Sequence, residues 1–386
     1  MVPKPRRFLP VVLGFSLVSF VSLAEVLSAT LPKSSQEMLK KLNLGPSILA
    51  DLDKELELPR DWIEKARKEG KVRVIGGGDA SKVRPSLAPF RERYPFIDVE
   101  YSHADRVART VKTLVAYRAG RIVTDVLDSL GGDVYQYKEA NALDDMRVIP
   151  GVRNVSEGAR DPNGLWVGVH TKYWCMAYNT KLVKKEDVPK KWEDLLTNPR
   201  WRGGKLALGN RPNLWSLMLW NPKGEKWVKD YLYRLFTEVR PQLRKEGLNA
   251  LPELVAAGEL DAVLPAPDST TYRLVLRGAP VGYACPEPIP VAVEEAAILR
   301  GAPNLYSARV FVNWWLSKEG QIAGFAHGSS TPAHKDLLRA EFIPFADQIL
   351  GKEVSYREPG LELDVWPKLE EYWNQLWLKG SGAAGR

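Results

Sequence analysis

The stretch "KVRVIGGGDAS" (residues 71–81) sets three glycines directly after a short apolar run. "VRVI" (72–75) reads as a strand, and the residues from Asp79 onward open a helix. A glycine-rich turn between a strand and a helix lets backbone approach another group closely, and it is the local form of an α/β unit. Gly70, just upstream, is a natural stop for the helical pattern of "DWIEKARKEGK".

The alternation continues outward from this turn. "VRPSLAPFRERY" (83–94) starts a helix interrupted by Pro85 and Pro89, and "IDVEY" (97–101) is the next strand. Residues 104–119 form a helix with Val107, Val111, Leu114 and Val115 on one stripe, and "TDVLDS" (124–129) follows as a buried strand. Residues 205–264 repeat the logic with "KLALG", a Trp-rich helical stretch and "LPELVAAGELDAVL". Strands alternating with helices predict a parallel, doubly wound sheet, and 386 residues are enough for two such units.

The start of the chain fixes the expected compartment. Lys4, Arg6 and Arg7 precede the apolar run "FLPVVLGFSLVSFVSL" (8–23), with small residues at 22 and 24. That is the pattern of a secretory signal peptide over residues 1–24, so the mature chain is expected in the periplasm or outside the cytoplasm. The net charge is +8, and +5 without residues 1–24. No basic stripe with interleaved aromatics is visible, which argues against nucleic acid as a partner.

The glycine turn is not a dinucleotide fingerprint, because Ser81 stands at the third small position. No metal-binding His-Glu-x-x-His helix is present, and His103, His170, His327 and His334 are scattered. Cys175 with His170 would make a thiol nucleophile and its base, but an offset of five on a strand points the two to opposite faces.

Several stretches resemble one family. "AYRAGRIVTDVLDS" (116–129), "YNTKLVKKEDVPKKWEDLLTNPRWRGGKLALG" (178–209), "LVAAGELDAVLPAPDSTTYRLVLRGAPV" (254–281) and "ARVFVNWWLSKEGQ" (308–321) are similar, in order and spacing, to extracellular solute-binding proteins of ABC importers, in the ferric-ion-binding-like branch. The resemblance implies an α/β type II periplasmic binding fold, with two doubly wound lobes joined by crossing hinge strands. Lobe one would hold residues 66–170 and 290–340, and lobe two residues 178–282. A helical extension (25–65) would precede them and a helical segment (341–386) would follow. The crossings would be "HTKYWCMAY" (170–178) and "GYACPEPIP" (282–290). The implied role is binding rather than catalysis, with no cofactor. The implied partners are a small-molecule solute and a membrane permease, and the protein is expected to be a monomer.

Ligands of open α/β sheets sit beyond the carboxyl ends of the strands. The expected site therefore gathers Gly78, Asp79, Ala80 and Ser81; Ser129, Gly131 and Gly132; Lys172 at the first crossing; Asn210 and Arg211; and Asp268, Ser269 and Tyr272. Asp79 and Asp268 can equally be helix N-caps. Ferric-binding members resemble one another in a tandem tyrosine, whereas this chain reads "DSTTYRL", leaving Tyr272 alone as a metal ligand should iron be the cargo. Thr270 and Thr271 suit a hydrogen-bonded organic solute, an anionic one included. Trp166, Trp174 and Trp215 are expected near the cleft, able to stack on a ligand. The leading expectation is capture of a small organic solute. Ferric iron with a synergistic anion is the runner-up, and a periplasmic enzyme on a similar fold is the rival from another class.

Cys175 and Cys285 are the only cysteines. They fall on the two proposed crossings, so a bond between them and a pair of buried thiols are both open readings.

Overall fold

The computed structural model describes residues 31–105, 107–357 and 361–383; the expected signal peptide lies outside them. Among the described residues no helix is long and apolar enough to cross a membrane.

Among the described residues eleven strands build one continuous sheet network. They are β1 (Lys71–Gly76), β2 (Asp98–His103), β3 (Val126–Asp128), β4 (Val167–Asn179), β5 (Leu206–Gly209), β6 (Gln242–Arg244), β7 (Ala262–Pro267), β8 (Val281–Ala284), β9 (Ile289–Ile298), β10 (Thr331–Pro332) and β11 (Val354–Tyr356). The main path runs β2-β1-β3-β9-β4-β7-β5-β6. Two parallel blocks, β2-β1-β3 and β7-β5-β6, flank an antiparallel centre of β9 and β4. The two blocks are the sheets of two α/β lobes, and the long strands β4 and β9 pass between them.

Local chemistry accounts for the elements near the first block. The helix Arg60–Glu69 ends where Gly70 turns to φ 71°, its amide bonded to the Ala66 carbonyl. In β1, Val72 and Val74 point into the core while Lys71 and Arg73 do not, as the two-residue period of a strand requires. They share that core with Phe90, Leu127, Phe311 and Trp314. Pro85 and Pro89 split their segment into two short helices, Ala80–Ser86 and Ala88–Arg93.

The second core is built on Leu206, Leu208 and Leu264 with Trp192, Trp201 and Trp215. Its last wall comes from the end of the chain. The helix Trp366–Ala383 brings Leu369, Trp373 and Trp377 onto it, and Trp373 lies 5.2 Å from Phe236 between ring centroids. Before reaching it, the chain lays β11 parallel to β9. The buried Arg357 then joins Glu295 at 3.1 Å and Glu362 at 3.2 Å. The C-terminal segment is thus a strap running from the crossing strand to the second core. At the other end, Met38, Leu39, Leu49 and Leu52 of the N-terminal extension pack on Ile322, Leu337 and Phe342. There the Ser35 hydroxyl donates to Glu319 at 2.6 Å.

One helix departs from its expected orientation. Over residues 107–118 the structure has a wide π-helical turn followed by the helix Thr113–Arg118. Leu114 is buried, but Val107, Val111 and Val115 are 55%, 44% and 58% exposed. Polar contacts won. Arg109 donates to the carbonyls of Ser129 and Ala104, and the Tyr137 hydroxyl donates to the Thr110 carbonyl, which turns Thr110 and Thr113 inward.

Candidate functional site

The carboxyl ends of β1, β3, β5 and β7 converge on a cleft of about 560 Å³ between the lobes. Such convergence is where open α/β sheets place their ligands.

The lobe-one wall begins with the glycine turn. A Cβ on Gly76 would stand 2.5 Å from Asp128 Oδ2 and 2.7 Å from the Tyr101 hydroxyl. One on Gly77 would stand 3.1 Å from the Arg109 guanidinium carbon, and one on Gly78 would stand 2.7 Å from Val83. The three glycines therefore let β1 sit against Asp128, Arg109 and Tyr101. The Gly78 carbonyl accepts hydrogen bonds from Tyr101 at 2.9 Å and from the His103 ring at 3.0 Å. Asp79 caps the following helix, accepting from the Ser81 amide and hydroxyl, with Lys82 at 3.9 Å. Across the turn, Ser129 adopts φ 60°, uncommon for a residue with a side chain.

The floor is made by the crossing strands. Lys172 of β4 pairs with Glu294 of β9 at 2.8 Å. Burial alone would raise the Glu294 carboxyl, but the Lys172 ammonium outweighs it and holds the group at about 2. Asp128 behaves oppositely, since burial and then the Glu294 charge push it up to about 7. Burial lowers His170 to about 4, so its ring is neutral. Trp174 lines the same floor.

The lobe-two wall carries Arg211, Ser269, Thr270 and Arg273. Arg273 reaches across to the Gly328 carbonyl at 2.9 Å, at the end of the helix Lys318–Gly328, and donates to the Thr270 hydroxyl at 3.0 Å. Asp268 is fully buried, accepts from the Thr331 hydroxyl at 3.2 Å, and is pushed by burial up to about 7.

Of the residues expected from sequence, Gly78, Asp79, Ser129, Lys172, Trp174, Arg211, Ser269 and Thr270 line this cleft. The others lie off its lining, each for an identifiable reason. Ala80 and Ser81 are the first residues of the capped helix. Gly131 donates its amide to Glu295, and a Cβ on Gly132 would meet Glu362, so that loop faces the C-terminal strap. The Asn210 side chain accepts from the Trp373 indole at 2.7 Å. Asp268 lies beneath the surface, and Tyr272 packs edge-on to Phe345. Trp166 belongs to the first core, Trp215 is stacked on Trp192 in the second, and Thr271 is buried with its hydroxyl on the Pro267 carbonyl. Sequence reasoning missed Arg109, Asp128, Arg273 and Glu294. "TDVLDS" carried one clue, because Asp128 ends a buried strand just before the loop.

Cys175 and Cys285 are joined, with Cα atoms 5.0 Å apart. A bonded Cys175 offers no thiol to His170. Among the described residues, Glu55, His334 and Asp336 have ligand atoms within metal-binding distance of one another. Lys318 fills that space, 3.2 Å from Glu55 and 3.7 Å from Asp336, and His334 Nδ1 accepts from the Asp336 amide. The group is an ion-pair network tying the N-terminal extension to lobe one.

Residues 125–343 match the family of bacterial extracellular solute-binding proteins. A Haemophilus influenzae protein described as uncharacterized is 33% identical over 169 residues, 39% of this chain. The matched part spans 45% of that relative. Solved structures share the fold, three of them as follows. Iron-bound HitA from Pseudomonas aeruginosa is 20% identical, with a TM-score of 0.65 over 79% of this chain and 99% of its own. IdiA (FutA) from Trichodesmium, in complex with iron and citrate, is 18% identical, with 0.65 over 80% and 99%. AfuA from Actinobacillus pleuropneumoniae, with fructose-6-phosphate bound, is 19% identical, with 0.62 over 81% and 98%. These likenesses show the type II periplasmic binding fold.

Proposed function

The chain belongs to the bacterial extracellular solute-binding proteins, and on that premise we propose that it is the capture component of an ABC-type importer, closing its two lobes on a small organic anion. One observation carries this reading: both lobes present arginines to one cleft, and these arginines have carbonyl and hydroxyl partners but, among the described residues, no carboxylate. Family and fold are those of binding proteins. Export to the periplasm by a cleaved signal, delivery to a membrane permease and action as a monomer belong to the same reading. So does the division into lobe one (66–170 with 290–340) and lobe two (178–282), which the two separate cores support. Closure would be a hinge motion about β4 and β9.

The geometry does not favour ferric iron, although two of the structural neighbours hold it. Tyr272 packs on Phe345. The tyrosine that does line the cleft, Tyr101, donates its hydroxyl to the Gly78 carbonyl, and burial pushes that phenol well above its usual range. A phenol held as a neutral donor is a poor ligand for a hard trivalent ion.

The test is a thermal-shift screen of the mature protein against small anions, sugars, amines and ferric citrate. A captured solute stabilises the folded protein by mass action, about 2.7 kcal/mol at a hundredfold excess over its dissociation constant. Hits should be lost in Arg211→Gln. A screen with no stabilising solute would overturn the reading, and a visible tyrosinate-to-iron band on loading would favour the iron alternative.

A further inference from the structure

The charges lining the cleft do not balance. Lys172 is neutralised by Glu294 at 2.8 Å, and Lys82 faces Asp79 at 3.9 Å. Three arginines remain. Arg109 is held by the carbonyls of Ser129 and Ala104, Arg211 by that of Asn210, and Arg273 by Gly328 and the Thr270 hydroxyl. Among the described residues none of the three has a carboxylate partner. Among the described residues Asp128 is the only acid left against them on the cleft lining, and burial with the Glu294 charge drives it toward its neutral form.

A guanidinium keeps its charge at any accessible pH, and for the partly buried Arg109 and Arg273 a charge without a counter-ion is costly. The excess is therefore two to three positive charges, more than a single carboxylate supplies. The arginines also stand on opposite walls: Arg109 on the turn Val107–Lys112 of lobe one, and Arg211 and Arg273 on lobe two. Guanidinium forks match the paired oxygens of carboxylates and phosphates alike.

Building on the solute-capture reading above, we infer that the cleft is made for a small organic dianion, held by Arg109 on one wall and by Arg211 and Arg273 on the other. Two sources share that chemistry, a phosphate monoester and a dicarboxylate. In either case the second negative charge, not the organic frame, decides recognition.

The experiment is calorimetric titration of the whole mature protein at pH 7, where a phosphate monoester is mostly dianionic. Glycerol 3-phosphate is compared with its monomethyl ester, and succinate with succinamate, so that each dianion has a partner lacking one charge. One dianion should bind at least tenfold more tightly than its partner, and which one does so identifies the source. The preference should fall below about threefold in Arg211→Gln, an exposed loop position whose loss leaves the fold standing, and likewise in Arg273→Gln. Failure of both dianions to bind, or equal binding within both pairs, overturns the inference. If the solute screen finds a neutral or singly charged ligand instead, capture stands and only the two-charge assignment falls.

Discussion

The Lys172 ammonium lies 2.8 Å from the Glu294 carboxylate, one residue on each of the two strands that cross between the lobes. The sequence placed Lys172 where it would meet an anionic solute, and the structure supplies that anion from the protein itself. Lys172→Ala would leave Glu294 at the cleft floor without its partner. Truncating one member of a fully buried pair costs 3–5 kcal/mol, and with partial solvent access here roughly 2 kcal/mol is expected. The double change Lys172→Met with Glu294→Leu should recover most of that loss. Chemical denaturation of the two variants checks this, and equal losses in both would refute the pairing argument.

Asp128 should make stability depend on pH. Its native value of about 7 lies above the ordinary 3.8, so the folded state holds a proton that the unfolded chain releases. The stability it contributes is complete below about pH 4 and is lost as pH rises through 7. Around it stand Glu294 on β9, Lys172 on β4, Arg109 on its turn, Tyr101 on β2, and Ser129, whose hydroxyl donates to it at 3.1 Å. Asp128→Asn, neutral throughout, should therefore raise the melting temperature more at pH 8 than at pH 5. A pH-independent difference would show that the carboxyl is already ionised at pH 5.

The Cys175–Cys285 bond closes a loop with a sequence separation of 110. In the chain-entropy model a loop of that size contributes on the order of 4–5 kcal/mol. Replacing both cysteines with alanine should cost somewhat less than this and leave the fold intact, since both sites are buried among small and apolar neighbours. Alkylation of denatured, unreduced protein should add nothing to the intact mass. Two alkyl groups would mean free thiols.

Trp373 anchors the C-terminal helix to the second core. It is 1% exposed, packs edge-on to Trp215 and Phe236, and donates its indole N–H to Asn210. Trp373→Ala should cost about 3–5 kcal/mol, the range for deleting a large buried aromatic. Calorimetry on the variant should show the loss. A change under 1 kcal/mol would mean that the helix is not part of that core.

Much of the fold was legible because its signals are local. The strand at 72–75, the helix stop at Gly70 and the proline breaks at 85 and 89 each depend on a few neighbouring residues and on periods that sequence displays. The cysteines were legible in part: Cys175 lies on β4 as expected, but Cys285 falls between β8 and β9, ahead of the strand that makes the second crossing. The glycine turn does border the cleft, through Gly77 and Gly78. Its close approach is to Arg109, Asp128 and Tyr101.

The composition of the cleft wall depended on contacts that sequence order does not display. Arg109 faces the cleft because carbonyls of Ala104 and Ser129 rotate its helix and leave three valines in solvent, against the apolar stripe. Gly131 and Gly132 turn away because Glu295, Arg357 and Glu362, from two distant segments, meet beneath them. Asn210 is taken by a tryptophan 163 residues further on. Sequence alone determined the alternation of strands and helices and several of the loops that border the cleft, because backbone propensity and hydrophobic period act over a few residues. Only the tertiary structure decided which charges in those loops stay uncompensated, because a charge is neutralised by whatever the fold brings to it, at any distance along the chain.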